Sequence, residues 1–143
     1  MIEEVALDDI VDLRWRVLRP GLPRETAIFA EDALPDAFHL AYRDEDGDIV
    51  SCVTFIPEDL DGEAAWRFRG MATDASRRSR GLGGELLQAG LARVADRGGT
   101  LVWCNARLAA AEFYGRHGFA ARGEVFDIPT VGPHVILARR LTT

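Results

Sequence analysis

The sequence contains no lysine, and all 17 of its basic residues are arginines. A Walker A loop holds phosphate with a lysine and Schiff-base enzymes react through one, so both chemistries are excluded. Only two cysteines occur, Cys52 and Cys104, each in an apolar stretch, and no CxxC or HExxH pattern is present. His39, His117 and His134 are too scattered for a zinc motif. We therefore predict two buried free thiols and no metal site.

Long hydrophobic runs are also missing. No stretch of about 18 consecutive apolar residues occurs, and the N-terminus lacks the basic start and apolar run of a signal peptide. We expect a cytoplasmic protein that does not bind membranes. Its net charge of −6 argues against general nucleic-acid binding, which needs a basic face. The length of 143 residues, with 48% hydrophobic, predicts one globular domain spanning residues 1–143.

Apolar periodicity predicts alternating strands and helices. Asp8 or Asp9 is predicted to cap a first helix, Pro23 to about Ala30 is predicted to form a short second helix, and an Asp-Gly pair at 46–47 predicts a hairpin. The other predicted elements are strands at 2–5, 38–43, 49–55, 66–73, 100–104, 120–127 and 134–141 and helices at 81–97 and 109–116. This order predicts an α/β fold with a mixed central sheet of about six to seven strands flanked by about four helices.

The segment at residues 77–84, RRSRGLGG, joins the predicted strand at 66–73 to the predicted helix at 81–97. Its glycines let the backbone approach a ligand, while the helix N-terminus offers free N–H groups and a positive dipole end. Its arginines add attraction for phosphate. We therefore predict an anion cradle. A dinucleotide fingerprint does not fit, because Leu86 stands where GxGxxG needs its third glycine.

Two motifs indicate which anion the predicted cradle binds. Residues 78–83, RSRGLG, fit an RxxGxG pattern, and residues 110–119, AAEFYGRHGF, fit AxxxYxxxGF. In these motifs and in the order of nearly all its elements, the chain resembles the GNAT superfamily of N-acetyltransferases. The resemblance implies the GNAT fold, acetyl-CoA as co-substrate, and direct transfer of an acetyl group to a primary amine.

The resemblance also implies roles for particular residues. Tyr114 matches the general acid that protonates the departing thiolate. A free phenol has a pKa near 10 and a simple thiol one near 8.5, so this proton transfer costs about 2 kcal/mol. The family often has asparagine where this chain has Arg107, so Asn105 and Arg107 are both candidates at the coenzyme site. The implied coenzyme-binding residues are Met71, Ala72, Thr73, Arg78, Ser79, Arg80, Gly81, Leu82, Gly83, Gly84, Asn105 and Arg107.

A general base is harder to predict. Many relatives carry a glutamate on the strand that precedes the RxxGxG motif, called here the motif strand. In this chain, residues 66–71 of that strand, WRFRGM, contain no carboxylate. His134 is the first choice, because histidine titrates near neutrality and this one enters a strand from a Pro/Gly loop. The other candidates are Glu124, Asp127 and His39.

The acceptor remains open among a small metabolite amine, an antibiotic, a peptide terminus and a protein lysine. Arg67 and Arg69 alternate onto one face of the motif strand, either as paired structural charges or as a site for a carboxylated amine. We expect specificity to lie in segments 18–35 and 129–133. The alternative functions are a non-catalytic acyl-CoA-binding sensor or partner domain and, more remotely, a nucleotide-binding module. A homodimer through the last strands is a further prediction.

Overall fold

The computed structural model describes residues 1–141, and within them seven strands form one sheet in the order β1-β2-β3-β4-β5-β7-β6. Neighbouring strands run antiparallel except for β4 and β5, which run parallel. This mixed sheet confirms the predicted α/β class. The strands are β1 (Ile2–Val5), β2 (Phe38–Arg43), β3 (Ile49–Pro57), β4 (Trp66–Thr73), β5 (Leu101–Arg107), β6 (Ala120–Ile128) and β7 (Gly132–Arg140).

Residues 1–141 contain three α-helices, α1 (Val11–Leu18), α2 (Leu82–Asp96) and α3 (Ala111–Gly115). The predicted short helix near residues 23–30 is wrong. Two 3-10 turns, Arg24–Ala27 and Ala30–Ala33, replace it, because Ile28 between them is extended. No helix in this part of the chain is both long and apolar enough to cross a bilayer.

The predicted cap of the first helix is also wrong. Residues Leu7–Asp9 form a 3-10 turn of their own, and the Asp9 carboxylate accepts a hydrogen bond from the Ala6 N–H at 3.2 Å. Helix α1 begins two residues later at Val11, preceded by Ile10, whose side chain makes no capping bond. The two aspartates therefore stabilise the turn that leads into the helix.

The two faces of the sheet are covered by different helices. On one, the α2 face, Phe55 and Phe68 pack with Leu86 and Leu87 of α2 in the main hydrophobic core. Gly90 of α2 lies directly over Phe55, so close that a Cβ at this glycine would stand 2.1 Å from the ring. On the other, the α1 face, the core residues are Ile10, Leu13, Ala41, Cys52 and Ala72.

The sheet opens between its two parallel strands. Among the described residues, β4 and β5 pair only at Trp66↔Val102 and Arg67↔Trp103. The pairing of β4 with β3 is interrupted after Arg69 by an extra residue, which marks a β-bulge at Gly70 and Met71. Gly70 has a φ of +68°, a conformation that favours glycine. The strands thus separate towards the end of β4 and leave a gap in the sheet, called here the β4/β5 gap.

Both cysteines are buried free thiols, as predicted. Burial raises the pKa of Cys52 and of Cys104 to about 12 in each case. A raised folded-state pKa contributes stability that is complete below the pKa of the unfolded thiol, about 8.5.

That stability is expected to disappear as the pH rises from about 9 towards 12, by up to about 1.4 kcal/mol per pH unit for each thiol. Urea unfolding at a series of pH values measures the loss, and Cys104→Ala should reduce the slope. Rapid labelling of both thiols in the folded protein at pH 8 would contradict their burial.

Candidate functional site

The predicted anion cradle lies where the chain passes from β4 into α2. After β4, a 3-10 turn at Ala75–Arg77 leads to two residues in the left-handed region, Ser79 with φ +66° and Gly81 with φ +77°. These two conformations reverse the chain so that α2 begins immediately at Leu82. The glycine at 81 is therefore required by its backbone conformation.

The first amides of α2 are available to a ligand. The Glu85 N–H donates to the Gly81 carbonyl at 3.0 Å, and it is the bond that closes the first turn. The N–H groups of Leu82, Gly83 and Gly84 precede that bond and have no acceptor in the regular helical pattern. Together with the positive end of the helix dipole, they can bind a phosphate group.

The three arginines of the turn have different surroundings. Arg77 donates to the Asp44 carboxylate at 2.7 Å, and this negative charge offsets the positive charge of Arg77. Arg78 makes one long bond, from Nε to the Thr73 carbonyl at 3.4 Å. Arg80 is exposed and has no ion pair with any residue from 1 to 141. Arg78 and Arg80 are thus the two cations of the turn with donors to spare.

Helix α2, strand β4 and helix α3 meet beside the β4/β5 gap. A Cβ built on Gly83 would lie 3.6 Å from the Met71 sulfur, 3.9 Å from the Thr73 hydroxyl and 4.0 Å from the Phe113 ring. Gly84 likewise lets the His117 ring pack closely against α2. His117 was not among the predicted site residues, and its Nδ1 lies 2.9 Å from the side-chain amide nitrogen of Gln88. The N-terminus of α2 therefore packs closely against the end of β4 at Met71 and Thr73.

Tyr114 lies beside Met71 on the α2 face. Its hydroxyl points to the Met71 sulfur at 3.9 Å, and its ring packs against Phe68 at 5.5 Å and Phe119 at 6.3 Å between centroids. Burial, reinforced by the nearby Cys104 thiol, raises the pKa of Tyr114 well above that of a free phenol. The phenol keeps its proton at neutral pH and can donate a hydrogen bond, and burial also makes it a weaker acid than a free phenol.

Asn105 and Arg107 belong to β5, which continues past the predicted end at Cys104. Both are exposed, and their cross-strand partners on β7 are Ile136 and His134. Alternation along the strand puts their side chains on the α1 face, opposite the Tyr114 side of the sheet. The structure thus places these two predicted coenzyme contacts away from the turn.

His134 is buried, with 6% of its surface exposed, and lies across from Arg107 on the α1 face. Its Nδ1 lies 2.9 Å from the Gly132 carbonyl oxygen. Because a carbonyl oxygen only accepts, Nδ1 carries the hydrogen, and Nε2 is left with a lone pair for a proton. The two predicted catalytic residues therefore lie on opposite faces of the sheet.

The other candidate bases are placed less favourably. Glu124 and Asp127 are exposed on β6, the edge strand beyond β7. His39 is buried, its Nδ1 lies 2.8 Å from the Thr54 hydroxyl, and burial together with the Arg14 charge lowers its pKa despite the opposing effect of Asp32. It belongs to a polar cluster on β2 and β3.

Carboxylates from outside the motif strand pair with its arginines, which is one of the two predicted alternatives, although the sequence did not identify the partners. Arg69 donates to Glu31 at 2.9 Å, and its guanidinium lies 3.8 Å from the centroid of the Phe29 ring. Arg67 donates to Glu58 at 3.4 Å. The α1 face of the motif strand thus carries acidic groups supplied by the segments at 24–34 and 58–65.

A second acidic cluster lies in the hairpin between β2 and β3, where the carboxylates of Asp44, Asp46 and Asp48 have oxygens within 4.8 Å of one another. The Asp44 carboxylate accepts hydrogen bonds from the N–H groups of Asp46 and Asp48, at 2.9 and 3.0 Å, and from Arg77. These hydrogen bonds stabilise the hairpin turn, and they account for the close approach of the three carboxylates.

Comparison with known proteins gives a consistent result. Residues 7–119 match the model of the acetyltransferase (GNAT) family. The chain is 33% identical over 145 residues to an uncharacterized N-acetyltransferase, YitI, of Bacillus subtilis strain 168, with 99% of this chain and 97% of that protein covered.

Solved structures with the same fold include an aminoglycoside 6'-N-acetyltransferase complexed with coenzyme A. It is 19% identical to this chain, with a TM-score of 0.81 and 98% and 96% of the two chains covered. Escherichia coli ElaA gives the same TM-score, 0.81, at 19% identity, with 97% of this chain and 99% of that chain covered.

Proposed function

The chain belongs to the acetyltransferase (GNAT) family of acyltransferases, and from this membership we propose that it transfers an acetyl group from acetyl-CoA directly to a primary amine. The observation that carries the proposal is the β4/β5 gap. An amide-rich helix start packs against the end of β4 beside this gap, and the Tyr114 phenol contacts Met71 there.

The turn and the end of β4 supply the donor site. The N–H groups of Leu82, Gly83 and Gly84 are proposed to bind the pyrophosphate, with Arg78 and Arg80 beside them. The main chain from Met71 to Thr73 is then free to bind the extended arm of the coenzyme, because β4 no longer pairs with β5 there. Acetyl-CoA supplies the acyl group as an activated thioester.

The residues around the gap divide the chemistry between them. At the bulge, the main chain of Met71 is proposed to donate to the carbonyl oxygen and stabilise the negative charge that develops there. Tyr114 gives its proton to the departing thiolate on the α2 face. Nε2 of His134, on the α1 face, is proposed to receive the proton that the acceptor amine must lose, directly or through water.

Replacing Tyr114 by phenylalanine is expected to lower kcat by about 100-fold or more, because the thiolate then leaves without a proton donor. The affinity for acetyl-CoA should change by less than about threefold, since the ring and its packing remain. Thiol release from acetyl-CoA, measured against a panel of primary amines, gives kcat, and calorimetry gives the affinity.

Tyr42→Phe is the matched control, because it removes the only other phenolic hydroxyl of the chain, on β2. It should leave kcat unchanged, and kcat is the quantity to compare because Tyr42 borders the groove that also contains Gly81 and Gly84. Equal turnover in Tyr114→Phe and wild type would remove Tyr114 from the mechanism. Tight coenzyme binding without thiol release for any amine would instead favour the acyl-CoA-binding sensor or partner domain, which the missing carboxylate on the motif strand also supports.

A homodimer through the last strands stays a prediction. Strand β6 is nine residues long and lies at the edge of the sheet, where it exposes Val125 and Phe126. A second copy that paired along this edge would cover both side chains and the free backbone groups of the strand.

A further inference from the structure

The α1 face beside the β4/β5 gap is rich in arginine, in a protein whose net charge is −6. From β4 and β5 this face receives Arg67, Arg69, Trp103, Asn105 and Arg107, which include three cations and no carboxylate. Acidic groups reach it only from neighbouring segments, as Glu31 and Glu58. What matters for an acceptor is which of these arginines is fixed in place and still has donors to spare. Arg107 is exposed and has no ion pair among residues 1–141, so nothing fixes it.

Arg69 is occupied. Its ion pair with Glu31 measures 2.9 Å, and the Phe29 ring beneath it also lies 4.3 Å from the Arg14 guanidinium. This arrangement fixes the segment at 24–34 against β4, so Arg69 has a structural role.

Arg67 is held in place but has few hydrogen bonds. Its guanidinium lies 5.1 Å from the centroid of the Trp103 ring, and its one ion pair, with Glu58, is long at 3.4 Å. Its Nε is buried and has no acceptor among residues 1–141. A guanidinium offers five N–H donors in a planar fork that matches a carboxylate, and most of those of Arg67 are unused.

Glu58 can release Arg67 without disturbing the fold. Its backbone is anchored independently, because its carbonyl accepts the Trp103 indole N–H at 2.9 Å and its N–H donates to the Ala65 carbonyl at 3.0 Å. Its side chain is 37% exposed, so the carboxylate can turn to solvent when another anion takes its place. Arg67 and Glu58 thus form a pair that a ligand can exchange.

We propose that Arg67 binds a carboxylate of the acceptor and so selects amines that carry one. The inference rests on the proposed acetyl transfer. Arg67 precedes Met71 by four residues, but the bulge sets two of them against one residue of β3, so the span is about 10 Å along the strand. An acceptor that spans this distance needs a spacer of several atoms between carboxylate and amine. An ω-amino carboxylate or the side-chain amine of an amino acid fits, and the α-amine of a free amino acid does not.

The test compares ω-aminohexanoate with hexylamine, which has the same chain without the carboxylate, and with hexanediamine, which has a second amine instead. In the wild type, the carboxylate should raise kcat/KM at least about tenfold over hexylamine, the gain of a charge-assisted pair. Arg67→Met, which keeps an apolar chain over Trp103, should abolish this gain, so that ω-aminohexanoate and hexylamine then react with equal kcat/KM.

Two further variants separate recognition from folding. Glu58→Gln frees Arg67 from its internal partner and should lower KM for ω-aminohexanoate, a gain that a merely structural pair would not give. Arg140→Met removes an arginine that is also paired with a glutamate, Glu63, but lies across from Leu101 at the far end of β5. It should keep the preference for the carboxylate.

Equal kcat/KM for ω-aminohexanoate and hexylamine, or a preference for hexanediamine, would overturn the inference while leaving acetyl transfer intact. If no amine is acetylated, the proposed function fails, and calorimetry on the complex with coenzyme A still tests Arg67. In that measurement, ω-acetamidohexanoate should bind at least about tenfold more tightly than N-hexylacetamide. Equal binding of the two would overturn the inference.

Discussion

Replacing Asp32 by alanine is expected to lower the free energy of unfolding by about 3 to 5 kcal/mol, because it leaves the Arg14 guanidinium buried without a counter-charge. The two side chains are 1% and 0% exposed, and they form two hydrogen bonds of 2.7 and 2.8 Å. Arg14 also donates to the Ala27 carbonyl at 3.0 Å and to the Thr54 hydroxyl. Urea unfolding measures the change.

The same pair predicts the pH dependence of stability. Burial by itself favours the protonated carboxyl, but the hydrogen bonds from Arg14 and from the Phe29 N–H outweigh it and hold the pKa of Asp32 below its ordinary value. A lowered pKa contributes stability at and above neutral pH, and this contribution is lost as the pH falls through the folded-state value. The wild type should therefore lose more stability in acid than Asp32→Ala.

Two controls separate the buried pair from an ordinary ion pair. Asp12→Ala breaks the exposed pair of Asp12 with Arg24 and should cost less than about 1 kcal/mol. The double variant Arg14→Met with Asp32→Leu removes both charges and should recover much of the stability lost in Asp32→Ala. A loss in Asp32→Ala no larger than in Asp12→Ala would contradict the account.

Gly90→Ala is expected to destabilise the protein by about 1 to 3 kcal/mol, although alanine is the better helix former. The new methyl group would stand 2.1 and 2.2 Å from two carbons of the Phe55 ring. That ring is fully buried and stacked on Phe38 with centroids 5.1 Å apart, so it cannot move aside. The difference from wild type is measured by urea unfolding.

The matched control is Gly115→Ala in α3, where no described atom lies within 4 Å of the added carbon. This variant should be as stable as the wild type or up to about 1 kcal/mol more stable. Adding Phe55→Leu to Gly90→Ala should recover part of the loss, because the smaller side chain leaves room for the methyl group. A Gly90→Ala protein as stable as wild type would show that α2 can shift over the sheet.

Local patterns predicted the turn at residues 77–84 and the hairpin at Asp46-Gly47, because glycine and its neighbours impose a backbone conformation wherever they occur. The short helix expected near residues 23–30 did not form. That segment is held by contacts far apart in sequence, such as the Arg14–Asp32 pair and the Phe29 ring under Arg69. No periodicity over a few residues carries such information.

The candidate site shows the same difference between local patterns, which the sequence reveals, and contacts far apart in sequence, which it does not. The sequence could identify Tyr114 from its motif, but it could not show that Glu31 and Glu58 reach the motif strand from other segments. It placed the end of β5 at Cys104, whereas pairing with β7 extends the strand to Arg107 and turns Arg107 towards His134. The roles of all these residues in catalysis and binding stay predictions.

The sheet also separates two groups of residues in which substitutions have different consequences. The turn at residues 77–84 and Tyr114 lie towards α2, whereas Arg67 and His134 lie on the α1 face. On the proposals above, substitutions on the α1 face change the acceptor without altering the residues proposed to hold the donor. A few changed side chains on that face would then give a new amine substrate and leave the proposed coenzyme site intact.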